Sequence, residues 1–237
     1  GEPPALALVG HTDTVPFDPG WTEALTLTES DGKLVGRGAC DTKGFIACAL
    51  AAVGAIDRAR LARPLALIFT ADEETGCTGA ARLAEAGAIH PRYAIVGEPT
   101  SLTPVRAHKG YSLAEIEIVG REGHSAYPAR GASAIFVAAE LLTRIESLTR
   151  TLAHEADPDF DPPHTTLNVG RIQGGRAANV IPGSCRFTLE WRSIPGQPAA
   201  RVLDVVAAAA RDVADERGVE VKITPIQSGR GVDTPKD

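Results

Sequence analysis

The chain has 237 residues, 43% hydrophobic and 23% charged, a globular balance that argues against a disordered, collagen-like or coiled-coil protein and suits one large domain or two small ones. Lys and Arg total 24 against 30 Asp and Glu, a net charge of −6 with no basic cluster, so nucleic acid and anionic membranes are poor partners. No apolar run approaches the roughly 20 residues of a membrane span, no targeting segment is visible, and Cys40, Cys48, Cys77 and Cys185 lack metal-ligand spacing, which makes a reducing cytoplasm the expected location.

Ala5 to Val9 is a short continuous apolar run, the pattern of a strand buried on both faces of a parallel sheet. His11-Thr12-Asp13 follows at once. The Gly-rich turn Gly36 to Gly44 feeds an Ala-rich stretch, Phe45 to Ile56, that reads as a buried helix. Leu65 to Phe69 is a second strand and runs into Asp72-Glu73-Glu74. A helix over Gly79–Ala86 is closed by Gly87, and Tyr93 to Val96 is a third strand that ends in Gly97-Glu98-Pro99. Strand and helix alternating at this spacing predict a parallel α/β sheet.

The pattern then changes. Leu113 to Val119 alternates, with Ala114, Ile116 and Ile118 on one side, as in an antiparallel strand with one wet face. A helix over Ala134–Leu148 is expected to turn Ile135, Ala138, Leu142 and Ile145 inward. Thr165 to Ile172 and Cys185 to Trp191 read as strands. Ala199 to Arg217 reads as a helix with Val202, Val205, Val206, Ala209 and Val213 inward, and Val219 to Ile226 alternates again. This β-α-β-β-α-β order is that of a ferredoxin-like α+β domain. The acidic, Pro-rich stretch Ala153 to Pro163 is expected to be a mobile surface excursion. Met is absent and the chain opens at Gly1 directly before a strand, so the sequence reads as an internal fragment of a longer protein.

Three apolar strands each end in metal-ligand types: His11, then Glu73 and Glu74, then Glu98. Ligands of open parallel sheets bind outside the carboxyl ends of the strands, so one His and three carboxylates meet at one sheet edge, with Asp41 placed to join them. Gathering so many carboxylates is unfavourable unless cations neutralise them, and a divalent ion, or a pair about 3.5–4 Å apart, is the economical explanation. Each residue also has an ordinary alternative. His11 and Glu98 suit loops, Asp41 a turn or helix cap, and Glu73 with Glu74 a solvated helix start.

Four stretches, Gly10 to Pro16, Gly36 to Gly44, Asp72 to Gly76 and Gly97 to Thr100, resemble the M20 metallopeptidase/deacylase family in order and spacing. Within it, Ser101 to Gly110, Thr166 to Gly170 and Gly174-Gly175 are similar to the acetylornithine deacetylase branch. The resemblance implies a fold: a parallel-sheet zinc-hydrolase catalytic domain, here incomplete, with an inserted ferredoxin-like α+β lid and dimerisation domain. The boundaries it implies are 1–109 for the first part of the catalytic domain, 110–227 for the lid, and 228–237 for the start of the return. It implies removal of acetyl from N2-acetyl-L-ornithine, a step of arginine biosynthesis. Neighbouring readings are succinyl-diaminopimelate desuccinylase, a broader aminoacylase, or an inactive truncated piece that keeps only dimerisation.

The resemblance also implies roles. His11 and Glu98 ligate one Zn2+, Asp41 bridges, and Glu74 ligates a second, with Co2+ or Mn2+ as alternatives. Asp13 orients His11 and Glu73 is the general base. His124, in Gly123 to Pro128, reaches a second copy in a homodimer and stabilises the oxyanion, while Tyr127, Asn179 and Arg192 contact the N-acyl amino acid. The ordinary alternatives are a turn residue for His124 and Asn179 and a surface Arg for Arg192. Two departures stand out. The family's last His ligand lies far downstream, whereas the final His here is His164, and Thr42 stands where the branch often has Met.

Overall fold

The computed structural model describes residues 2–236, and the chain divides into two compact units after Pro104. The first contains β1 (Leu6–His11), β2 (Thr28–Ser30), β3 (Lys33–Val35), α1 (Gly44–Gly54), β4 (Leu65–Thr70), α2 (Thr78–Glu85) and β5 (Tyr93–Val96). β1 lies between β4 and β5, parallel to both. Leu6 is level with Leu65 and Tyr93, so all three strands start together, and His11 finishes beside Thr70. The carboxyl ends therefore reach one rim, as the alternating pattern predicts. β2 and β3 form a hairpin over Asp31-Gly32, whose φ angles of 52° and 70° supply the two left-handed positions of a tight hairpin turn.

Burial in this unit departs from expectation. The apolar runs read as strands covered on both faces, yet Tyr93, Ile95 and Val96 of β5 are more than half exposed. α1, apolar nearly all round, buries only Ala49. β5 is an edge of the described sheet, and the main strand contact of α1 is with β1, which leaves much of both exposed among the described residues of this unit.

The second unit contains β6 (Ala107–His108), β7 (Tyr111–Val119), β8 (Gly123–His124), α3 (Ala134–Leu152), β9 (Thr166–Gly174), β10 (Val180–Ile181), β11 (Ser184–Arg192), α4 (Ala200–Arg217), β12 (Glu220–Gly229) and β13 (Val232–Asp233). Its main sheet is antiparallel in the order β12-β7-β11-β9, the ferredoxin-like arrangement. Ser112, Ala114, Ile116 and Ile118 are buried on one side of β7, and Phe187 and Leu189 of β11 join them. Leu141 of α3 and Val206 and Val213 of α4 close the core.

Each helix keeps most of its predicted face: Ala138 and Ile145 of α3 and Val202, Val206 and Val213 of α4 are buried, and Leu142 and Ala209 pack against the same core. α3 buries Ala134, Val137, Ala138, Leu141 and Ile145, leaving Ile135 partly exposed, and α4 buries Ala210 while Val205 points outward. Ile135 and Val205 lie at the edges of their stripes, each one position from a buried residue, Ala134 and Val206.

The segment from residue 228, expected to begin a return to the first domain, is continuous with the second unit. β12 runs through Gly229, and β13 pairs with β6. The stretch 153–163 is tied down instead of free: Asp159 accepts from Arg106 at 2.8 Å and from Lys236 at 3.0 Å, and Gln197 donates to Glu155 at 2.8 Å. Among the described residues no helix is long and apolar enough to cross a membrane.

Candidate metal centre

His11 is the last residue of β1 and almost fully buried. Thr42 fixes its main chain from both sides, its hydroxyl accepting from the His11 N–H and donating to the His11 carbonyl, each at 3.2 Å. The imidazole Nδ1 donates to the Asp13 carbonyl at 3.1 Å, with Asp13 Oδ1 at 3.5 Å, so Nε2 is turned the other way. Nε2 lies 3.0 Å from Asp41 Oδ1 and 3.8 Å from Glu73 Oε2. Asp13 thus meets the His11 ring mainly through its carbonyl, which lies nearer than its carboxylate.

The loop after β4 carries the paired carboxylates. Its Glu74 N–H donates to Asp13 Oδ2 at 3.0 Å, and Glu74 Oε1 accepts from the Val15 N–H at 3.2 Å. These bonds draw Glu74 in, so His11, Asp41 and Glu74 each offer one ligand atom within 4.8 Å of the others. The resemblance implies His11, Asp41, Glu74 and Glu98 as ligands, and the first three meet here. Glu98 follows the edge strand β5, close enough for the charges of Asp41, Glu73 and Glu74 to act on its carboxyl, and Gly97 holds the turn before it: a Cβ there would lie 2.0 Å from the Phe45 ring.

The electrostatics record the crowding. Burial pushes the Glu98 carboxyl above its ordinary range, and the charges of Asp41 and Glu73 push it further. Burial opposes a charged His11, but the hydrogen bond to Asp41, the Asp13 carbonyl and the Glu73 charge together raise its pKa. Asp13 is also disfavoured by burial, yet the N–H groups of Glu74 and Glu73 hold its carboxyl below the usual range. Asp13 Oδ1 is buried without a hydrogen-bond partner. One imidazole and several hard carboxylate oxygens, two of them raised toward protonation or left unpaired, form a donor set that fits a divalent cation.

In the second unit β8 pairs with β10, with His124 opposite Val180 and the Ser125 N–H donating to the Asn179 carbonyl at 3.1 Å. The Tyr127 ring meets the His124 ring at 5.9 Å, and all three side chains are exposed. His124 Nδ1 accepts from the Ala126 N–H at 3.1 Å, so His124 is also a turn residue. Arg192 is elsewhere. β11 separates it from this ribbon, and nine extended residues span about 26 Å. Its guanidinium lies 4.3 Å over the Tyr111 ring, and its Nε donates to Glu190 at 2.8 Å. The structure thus groups His124, Tyr127 and Asn179 and leaves Arg192 at the far end of the sheet. Thr42 and Cys77 were not foreseen as site residues, because the bonds that Thr42 makes to β1 and Cys77 to Glu73 leave no pattern in sequence.

Over residues 7–233 the sequence matches the family described as Peptidase family M20/M25/M40. It is 58% identical over 235 residues to an acetylornithine deacetylase of Myxococcus xanthus, covering 98% of this chain and 61% of that protein. It is 46% identical over 211 residues to an acetylornithine deacetylase of Yersinia pestis, covering 88% and 54%. The chain spans between half and two thirds of the length of these relatives. A tripeptidase from Staphylococcus aureus shares the fold with a TM-score of 0.72 at 23% identity, over 100% of this chain and 61% of that one. An M20 family metallo-carboxypeptidase from Sulfolobus solfataricus does so with a TM-score of 0.71 at 18% identity, over 94% and 65%. With the strand-end donor set in place and the match running through both units, the chain belongs to peptidase family M20/M25/M40.

Proposed function

We propose that the complete protein is a metal-dependent amide hydrolase that removes acetyl from N2-acetyl-L-ornithine, giving L-ornithine and acetate in arginine biosynthesis. The substrate rests on the likeness to the relatives of that name. The chemistry rests on one observation: His11, Asp41 and Glu74 converge within 4.8 Å, with Glu73 beside them.

In this reading His11, Asp41, Glu74 and Glu98 hold zinc, which when bound supplies an acidified water and a polarised amide carbonyl. Asp13 keeps the His11 tautomer with Nε2 toward the site. Glu73 takes a proton from the attacking water and passes it to the amide nitrogen as the C–N bond breaks, so that the nitrogen leaves as a neutral amine and not as an amide anion. His124 donates to the carbonyl oxygen as charge develops there, and Arg192, Asn179 and Tyr127 hold the substrate, an Arg fork suiting its carboxylate. Arg192 is too far from the His124 ribbon for both to touch one small amide within a single copy, which supports a homodimer in which the two serve different sites. Exposed Phe136 on α3 and Ile172 on the edge strand β9 supply an apolar surface for it. The free thiols of Cys40, Cys48 and Cys77 suit a reducing cytoplasm.

The test is deacetylation by the full-length protein loaded with zinc. Glu73→Gln should lower kcat about 10²–10⁴-fold, and chelation should abolish turnover. Full activity in Glu73→Gln, or indifference to chelator, overturns the mechanism. A panel of acetyl, succinyl and long-chain acyl amides decides the substrate, since preference for succinyl would move the protein to the desuccinylase reading.

A further inference from the structure

Glu73 and Glu74 are neighbours in sequence, yet different donors hold their carboxylates. Glu74 Oε1 accepts from the Val15 N–H, on the side of Asp13. Glu73 Oε1 accepts from the Cys77 thiol, with Sγ at 3.4 Å. Among the described residues no other donor hydrogen-bonds the Glu73 carboxylate, whose Oε2 remains 3.8 Å from His11 Nε2. Cys77 also holds Glu73 by the main chain: the Glu73 carbonyl accepts from the N–H of Gly76 at 3.0 Å and of Cys77 at 2.9 Å.

The loop that presents this thiol is closed without it. The Thr78 N–H donates to the Asp72 carbonyl and the Gly79 N–H to the Ala71 carbonyl, both at 3.1 Å. A Cβ at Gly79 would sit 2.3 Å from the Ala71 carbonyl oxygen, so α2 starts pressed against the end of β4. Cys77 itself has φ 57°, a left-handed conformation set by this loop. Its side chain is thereby free to be chosen for what it does to Glu73.

We propose that Cys77 is a positioning residue for Glu73, its thiol holding one carboxylate oxygen so that the other stays turned toward His11 and the metal ligands. A thiol suits the task chemically. It is a weak, uncharged donor, so it fixes a rotamer without neutralising the carboxylate, whereas a Lys or Arg in the same place would form an ion pair and strip the group of basicity. The inference rests on the reading of Glu73 as general base.

The experiment uses the full-length, zinc-loaded enzyme and measures kcat, KM and zinc content for Cys77→Ala and Cys77→Ser. Loss of one hydrogen bond of ordinary strength corresponds to about 2–10-fold. Cys77→Ala should lose that much in kcat with KM and zinc content unchanged, and Cys77→Ser, which keeps a donor, should recover it. Wild-type kcat in Cys77→Ala, a loss confined to KM or zinc, or a Ser variant as slow as Ala overturns the inference. If Cys77→Ala does not fold, methylthiolation of the wild-type enzyme, which replaces the S–H by S–S–CH3, takes its place. A reversible fall in kcat that is absent from treated Cys77→Ser supports the inference, and an equal fall in that variant overturns it. Full activity in Glu73→Gln strikes the general-base reading itself. A severe loss in Glu73→Gln beside an unaffected Cys77→Ala strikes only the role of Cys77.

Discussion

The two units are stabilised in different ways. The second buries a conventional core: Ile116, Ile118, Phe187, Leu189, Trp191, Leu141, Val206 and Val213 are all nearly inaccessible. Among its described residues the first buries no hydrophobic side chain larger than alanine, only Ala7, Ala24 and Ala49, together with the polar His11 and Thr42. Yet in the first, side chains bond the main chain at the site residues, Thr42 at His11 and Asp13 at Glu74. Apolar area does most of the work in one half. In the other, hydrogen bonds set the position of a few polar atoms.

This contrast can be broken at either pole. The largest effect is expected from the segments themselves: residues 105–237 alone should unfold in one cooperative transition, and residues 1–104 alone should not, as seen by thermal unfolding followed by circular dichroism. Phe187→Ala, in the core of the second unit, should cost about 3–5 kcal/mol in denaturant unfolding. Ile95→Ala, at a half-exposed strand of the first, should cost under about 1 kcal/mol in the same measurement. Equal costs would erase the distinction between the units.

Thr42→Val keeps the shape and removes the hydroxyl, leaving the His11 N–H and carbonyl without that partner. It should cost about 1–3 kcal/mol and weaken zinc binding, read by competition with a chromophoric chelator. The gentlest probe is pH. The raised pKa of His11 means that it keeps a proton where a free imidazole has lost it, and only neutral imidazole ligates. A divalent ion held by His11 would have to displace that proton, so zinc affinity should fall as pH falls, by about tenfold per unit for one proton below the His11 pKa. The raised Glu98 carboxyl acts in the same direction at lower pH. A flat profile between about pH 8 and pH 5 would show that His11 is not a ligand.

Much of this was legible in sequence, for local reasons. Period-two alternation in β7 displayed its buried face directly, and three apolar runs followed by His11, Glu73-Glu74 and Glu98 located the rim. What was lost follows from what patterns omit. In the helices only Ile135 and Val205 were misplaced, each at the edge of its stripe and one position from a buried neighbour. The β2–β3 hairpin did carry a signal, Asp31-Gly32 between short strands, that passed unused. Thr42 and Cys77 left none, because a hydroxyl bonded to a residue 31 positions away and a thiol aimed by a left-handed backbone are products of tertiary structure. The place of Glu74 in the tight donor set has the same origin, the Asp13 carboxylate accepting from the Glu74 N–H.

The pairing of β6 with β13 makes the outermost strands of the second unit neighbours, about 4.8 Å apart as in any ladder. Clamping residues 107–108 to residues 232–233 closes the described part of this unit into a loop, so a pull on either strand loads the same short ladder.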